Sequence, residues 1–425
     1  MSTQRARVVV VGGGVMGVAI ALHLARRCHP LDEPVVLLEK SRLAAGSSGR
    51  SGAILRQHYS DRELASMARD SLRVYANLEA RTGRTIGFQR TGVITLAGPE
   101  RPEMIALVER NIAMQQSIGI DTRLIEAREM RALVPGLVVA DGSIGAYEPD
   151  GGGVDPIRTV EVFAALAREA GAVTRIGVKV TRIVTDGTRV IGVDTDGGRI
   201  LADDVVVATG PWSRPLLAAI GFDAPLSVVR PEQHFQALPN DSRAVASDAD
   251  ARVEDSALDR FGLSRDALAA AAHPVILDLE RGFYTRCEGH AGRTRVGRMD
   301  YSHDDPISDP DALDESVSTD FRRWAREQLT ARLPIYTDEP SVGAQVGLYT
   351  LTPDAQALIG RPRAFTGLVV VTGFSGHGFK LAPSVGEGVA QMLLGETVSA
   401  FDAEFFAPDR FAGRTSASTS GAFGL

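Results

Sequence analysis

Hydrophobic residues fall along this chain in two rhythms, unbroken runs and helical spacing, and their order predicts the first elements. "RVVVVG" at 7–12 and "PVVLLEK" at 34–40 are continuous apolar runs, as strands buried on both faces require. Between them, "GVAIALHLARR" at 17–27 carries helical spacing. Strand, helix and strand in that order predict a βαβ unit feeding a parallel sheet. Further strands are expected at 92–98, 190–196 and 204–210. A helix is expected behind Asp155, which suits an N-cap. Pro156 fits its first position, Gly171 its stop, and Val160, Phe163 and Ala167 share one face. The segment 102–132 also reads as helical, with Met104, Leu107, Ile112 and Met114 among its apolar positions. A helix near 314–330 puts Val317, Phe321 and Trp324 on a core-facing stripe. The Asp-, Ala- and Ser-rich stretch 241–273 reads as a polar helical excursion over the surface, and 412–425 as a disordered tail.

The chain's 425 residues exceed what one compact core holds, which predicts two domains or one interleaved pair. A composition of 44% apolar and 23% charged residues suits a soluble globular enzyme. The net charge of −7 is spread over short segments, so no basic face for nucleic acid is expected. Cys28 and Cys287 are the only cysteines, which gives no disulfide framework and predicts a cytoplasmic chain. Residues 8–25 form an uncharged run that imitates a signal peptide or membrane span. Three consecutive glycines, and His23 beyond them, favour a buried strand turning into a packed helix instead. The acidic run "DYSHDDPISDPDALDES" at 300–316 lacks EF-hand spacing and reads as a solvated loop, so no metal site is expected.

Candidate chemistry begins at the turn after the first strand. Gly12-x-Gly14-x-x-Gly17 joins a strand to a helix, and Glu39 ends the next strand 22 positions after Gly17. Glycines let the backbone approach a pyrophosphate, the helix N-terminus offers N–H groups, and an acid there takes ribose hydroxyls. Dinucleotide binding follows. No second such motif supplies a separate nicotinamide site, so a cofactor that is itself redox-active fits better. A second glycine-rich stretch, "GFSGHGFK" at 373–380, imitates a nucleotide P-loop. Phe379 separates Gly378 from Lys380 and no Ser or Thr follows the lysine, which excludes that reading.

Taken together, "GGGVMG", "LLEK", "GSSGRSG", "VVVATGPWS", "GLYTLTPD" and "GFSGHGFKLAP" resemble the FAD-dependent amine and D-amino-acid oxidoreductases. Within them the chain resembles the sarcosine oxidase and dimethylglycine dehydrogenase branch, over residues 6–232 and 282–396. The resemblance implies an α/β fold. Segments 1–90, 151–232 and 340–425 form an FAD-binding Rossmann-type domain on a parallel sheet. Segments 91–150 and 233–339 form a substrate domain on a mainly antiparallel sheet.

By the same resemblance, Gly12, Gly14, Val15, Met16 and Gly17 are the pyrophosphate loop, with Glu39 and Lys40 at the adenosine end. Ser47, Ser48 and Arg50 belong to the loop that crosses the flavin, and Val180 meets the adenine. Ala208, Thr209, Gly210 and Trp212 match a second FAD segment. Gly373, Ser375, Gly376, Gly378 and Phe379 run past the pyrimidine end of the flavin, where the following helix turns its positive end to the ring. Arg56 and Lys380 clamp a substrate carboxylate. Tyr349 and Tyr284 flank the substrate amine. Arg295 takes the position of a lysine that activates oxygen, and Met299 that of a histidine. Gly347 stands where monomeric sarcosine oxidases bond their flavin to a cysteine, which implies non-covalent FAD. His377 is expected to position backbone, and His23 and His58 to be structural.

The implied activity is oxidation of a small amino acid, secondary or N-methylated, by hydride transfer to flavin N5. The product is an imine that water hydrolyses, and the electron acceptor is oxygen or a carrier. Two alternatives stand beside it: a D-amino-acid or 2-hydroxyacid dehydrogenase with a non-oxygen acceptor, and a non-catalytic flavin-binding subunit.

Overall fold

The computed structural model describes residues 4–28, 33–239, 273–301 and 306–412. The excursion expected at 241–273, His273 excepted, and the tail beyond Ala412 lie outside them.

The first apolar strand, Gln4–Val11, sits inside an eight-stranded sheet. It pairs in parallel with Val35–Glu39 on one side and Gly198–Val207 on the other. Val173–Ile176 and Leu368–Thr372 extend the sheet in parallel, and Leu358–Gly360 closes one edge antiparallel. Val180–Asp186 and Arg189–Thr195 form an antiparallel meander that joins Gly198–Val207. The strand period of two decides which layer each side chain enters. Val8 and Val10 pack with the helices Val15–Ala25, Pro156–Glu169 and Ala382–Leu393, while Val9 and Val11 pack toward the meander. A strand clothed on both faces explains the unbroken valine run.

Helix Val15–Ala25 is buried at every residue except His23, which explains why its sequence imitates a membrane span. At Gly386 a Cβ would lie 2.8 Å from the Ala19 backbone, so a glycine lets the last helix close on the first. No helix among the described residues is long and apolar enough to cross a membrane.

The second sheet also has eight strands, in the order Ser341–Val346, Glu232–Ala237, Arg293–Arg298, Phe283–Glu288, Val275–Asp278, Val93–Ala97, Ile144–Glu148 and Arg123–Glu126. All neighbours are antiparallel except Val275–Asp278 with Val93–Ala97. Phe321, Ala325 and Leu329 of helix Thr319–Arg332 cover one face, and Val108 and Ile112 of helix Pro102–Ser117 the other. An α/β fold with one parallel-containing sheet and one mainly antiparallel sheet is what the motifs implied. Ser341–Val346, grouped above with the FAD segments, pairs in the second sheet with Glu232–Ala237.

Local differences have local causes. The expected helix over 102–132 ends at Ser117, where Gly119 takes a left-handed φ of 80°. Arg123–Glu126 then joins the sheet edge, and a capping box between Glu126 and Glu129 opens a second helix, Ala127–Leu133. The helix expected from 314 starts at Thr319, because the Ser318 hydroxyl accepts the Phe321 N–H. Pro156–Glu169 forms behind Asp155, whose carboxylate accepts the N–H groups of Ile157 and Arg158.

Candidate active site

A cleft of about 1050 Å³ opens along the C-terminal ends of the parallel strands, lined by Val11, Glu39, Ala208 and Gly373. Strand carboxyl ends are where open α/β sheets hold ligands. The glycine loop forms one wall. Gly12 has a φ of 113°, and a Cβ there would overlap the Ala208 carbonyl oxygen. A Cβ on Gly17, behind the loop, would overlap the Gly12 carbonyl oxygen. Gly14 at the N-cap of helix Val15–Ala25 brings no side chain, and the Val15 N–H donates instead to Ser48 Oγ at 2.9 Å. Glu39 fixes the turn: its two carboxylate oxygens accept the N–H groups of Gly13 and Ser41, each at 2.8 Å. Gly14, Met16, Ser47, Val180, Thr209, Gly210 and Trp212 line the same cleft.

The described part of the acidic run is largely exposed, as a solvated loop should be, and it also supplies part of this wall. Asp309, Asp311, Leu313 and Glu315 all line the cleft. Asp311 pairs with Lys40 and accepts Trp212 Nε1–H at 2.8 Å, while the Lys40 ammonium lies 4.1 Å over the indole. Glu315 pairs with Arg50, whose guanidinium also donates to Val346 O at 3.3 Å. These partners are far apart in the chain, so no local pattern announces them.

The late loop forms the opposite wall. Gly373, Ser375 and Gly376 all take left-handed φ values, and Ser375 N–H donates to Thr350 O at 2.9 Å. The loop folds around Tyr349: a Cβ on Gly376 would lie 3.0 Å from both Tyr349 and Tyr301. Tyr301, which the sequence reading missed, meets Tyr349 edge-on at 4.9 Å between ring centroids, and Tyr284 hydrogen-bonds Tyr349. Gly378 and Phe379 line the cleft, but Tyr284 and Gly347 do not. Gly347 packs on Pro231, and its neighbour Leu348 reaches the cleft instead.

Arg56 and Lys380 come together, as the resemblance implied, but behind the cleft wall rather than on it. They are 2% and 6% exposed. The Arg56 guanidinium stacks 4.1 Å over the Tyr59 ring, and Lys380 Nζ lies 5.9 Å from the same ring centre. Lys380 donates to His377 O at a long 3.4 Å, a bond readily exchanged for a better acceptor. Burial, and then repulsion from Arg56, push the Lys380 ammonium well below its usual range, while Glu148 opposes both. Burial and Lys380 push His377 down to about 3, so the ring stays neutral with Nε2 on Ala355 O at 2.9 Å. It holds backbone and exchanges no proton at ordinary pH.

Arg295 is equally buried, and its charge is taken. It pairs with Glu288 at 2.6 Å and also donates to Gln233 and to Arg50 O. Burial works against the Glu288 carboxylate, yet Arg295, Arg286 and Arg293 hold it down to about 2. Arg286, also missed, donates to Gly52 O and Val154 O and so ties the second sheet to the end of the glycine-rich stretch at 46–52. Met299 is buried beside Tyr284 and Tyr301.

The FAD dependent oxidoreductase family, DAO, matches residues 7–392. The chain belongs to that family. It is 28% identical over 418 residues to a 4-methylaminobutanoate oxidase (formaldehyde-forming) of Paenarthrobacter nicotinovorans, covering 96% of this chain and 46% of that protein. This chain therefore spans about half the length of that relative. Monomeric sarcosine oxidase of Bacillus sp. (strain B-0618) is 26% identical over 398 residues, covering 91% of this chain and 92% of that one. Among solved structures, L-proline dehydrogenase from P. horikoshii superposes with a TM-score of 0.80 at 26% identity, covering 96% of this chain and 98% of that one.

The cleft fits the cofactor of this DAO family. A helix start behind a glycine turn suits a pyrophosphate, and a Cβ at Gly12 or Gly17 would run into backbone and force that turn out of shape. Glu39 stands at the end of the second strand for a ribose.

Proposed function

We propose that this chain oxidises a small amino acid or amine with FAD, and that its substrate is a secondary or N-methylated amino acid bound through its carboxylate. The observation that carries this reading is the convergence of Arg56 and Lys380 on Tyr59, directly behind the late loop. Two buried cations call for an anion, and Glu148 supplies only one negative charge. Tyr349 lines the cleft with Tyr284 and Tyr301 packed behind it, an aromatic surface suited to an alkylated nitrogen. Bound FAD would supply the acceptor for two electrons and the hydrogen from the C–H next to that nitrogen. The chain's own residues hold the carboxylate, face the amine with aromatic rings and keep water from the reacting carbon.

Anaerobic mixing with a panel of N-methyl, cyclic and primary amino acids, each beside its decarboxylated amine, tests this through bleaching of the flavin. Bleaching by the acids and not by the amines is expected. Equal bleaching by the amines would sink the carboxylate reading, and no bleaching at all would leave a non-catalytic flavin subunit.

FAD is held without a covalent bond in this proposal. Among the described residues lining the cleft there is neither a cysteine nor a histidine to bond the ring. Acid precipitation of the holoprotein should leave the yellow colour in the supernatant. Colour carried down with the pellet would contradict it.

A further inference from the structure

We propose that Glu148 is the positioning residue of the carboxylate clamp, holding the segment that carries Arg56 and placing a carboxylate behind the two cations. This rests on reading Arg56 and Lys380 as that clamp. Burial pushes the Glu148 carboxyl up, against the Gln57 and His58 hydrogen bonds and the Arg56 charge.

Glu148 is fully buried at the end of strand Ile144–Glu148, and it ties the second sheet to the flavin-crossing segment. Its two oxygens divide the work. One accepts the Gln57 N–H at 2.6 Å and Gln57 Nε2 at 3.4 Å, and the other accepts the His58 N–H at 2.9 Å. These are the two backbone amides that directly follow Arg56. The Arg56 guanidinium turns back onto His58 O and over Tyr59, so the tripeptide anchored by Glu148 also fixes the cation's direction.

Charge gives the second half of the argument. Arg56, Lys380 and Glu148 sum formally to +1 in a region closed to water, and one monocarboxylate brings that to zero. A dicarboxylate does not, so the arrangement selects amino acids with a single acid group. The titratable groups around Glu148 are Arg56, His58 and Tyr59 from the flavin-crossing segment, with Lys380 from the late loop and His377 beside that lysine. Burial keeps His58 and His377 neutral, with both pushed down to about 3. Burial raises Tyr59 to about 12. Lys380 is therefore the group whose protonation answers to Glu148. Removing the Glu148 charge makes the ammonium harder to keep, so anion binding fails at a lower pH.

Benzoate binding to the holoprotein, followed by perturbation of the flavin spectrum between pH 6 and 10, tests this without knowledge of the substrate. In Glu148→Gln the benzoate Kd at pH 8 is expected to rise about tenfold. The loss of affinity at high pH should move down by about one pH unit. Glu148→Asp keeps the charge and should stay within about threefold of wild type. FAD content should be unchanged in both. Equal weakening in Gln and Asp with the basic limb unmoved would make Glu148 a mere staple and overturn the proposal, as would wild-type binding by Glu148→Gln. If Glu148→Gln does not retain FAD, Glu148→Asp decides alone: a basic limb that stays in place supports the role and one that moves overturns it. Wild-type benzoate binding by both Arg56→Met and Lys380→Met would instead remove the clamp reading itself.

Discussion

Gly17→Ala is expected to yield protein that no longer retains FAD. The added methyl would overlap the Gly12 carbonyl oxygen and lie 3.1 Å from its carbon, and both are backbone atoms that cannot rotate away. Either the helix Val15–Ala25 moves out or the turn at Gly12 moves in. The turn is fixed by its hydrogen bond to Leu38 O at 2.8 Å and by the Ala208 carbonyl against Gly12. The helix is fixed by burial on nearly every side. A pyrophosphate held by backbone N–H groups tolerates little displacement of either. A loss of FAD affinity on the order of 100-fold is expected, or about 2.7 kcal/mol. The ratio of flavin to protein absorbance after gel filtration measures it. A variant purified with a full complement of flavin would show that the cofactor does not lie on this turn.

That prediction draws on what was most legible in the sequence, because everything it needs is local. A valine run, three glycines and an apolar helix are neighbours in the chain, and steric limits on the turn act within one βαβ unit. The N-cap at Asp155 was legible for the same reason. The far wall was legible only through resemblance: nothing in the spacing of "GFSGHGFK" says that it folds around Tyr349. Features built by long-range pairing stayed hidden. Asp311 with Lys40 and Glu315 with Arg50 make a solvated acidic loop also a wall of the cleft. Glu148 sits in a turn-rich stretch, "YEPDGGG", where an acid looks like surface. The sequence reading brought Arg56 and Lys380 to one place but could not show that both are buried. Burial changes their chemistry, since an exposed lysine keeps its proton at any working pH and this one does not hold it so firmly.

Lys380→Met should accordingly cut kcat/KM for a carboxylate substrate by an amount on the order of 100- to 1000-fold, as loss of a buried charge-assisted contact does. Flavin content should be unchanged, since Lys380 does not line the cleft that receives the cofactor. The pH profile separates this from simple damage. Oxidation through the neutral amine needs the substrate deprotonated, so kcat/KM rises with pH on the acid side. The clamp needs Lys380 protonated. Its ammonium is pushed below the usual lysine range, so kcat/KM falls again as pH climbs through that lowered value. A bell is therefore expected for the wild type. Lys380→Met should keep the acid limb and lose the basic one, because no group remains to deprotonate. Lys380→Arg keeps its charge throughout and should also lose the basic limb while recovering part of the rate. A basic limb that persists in Lys380→Met would belong to another group and would take Lys380 out of substrate binding.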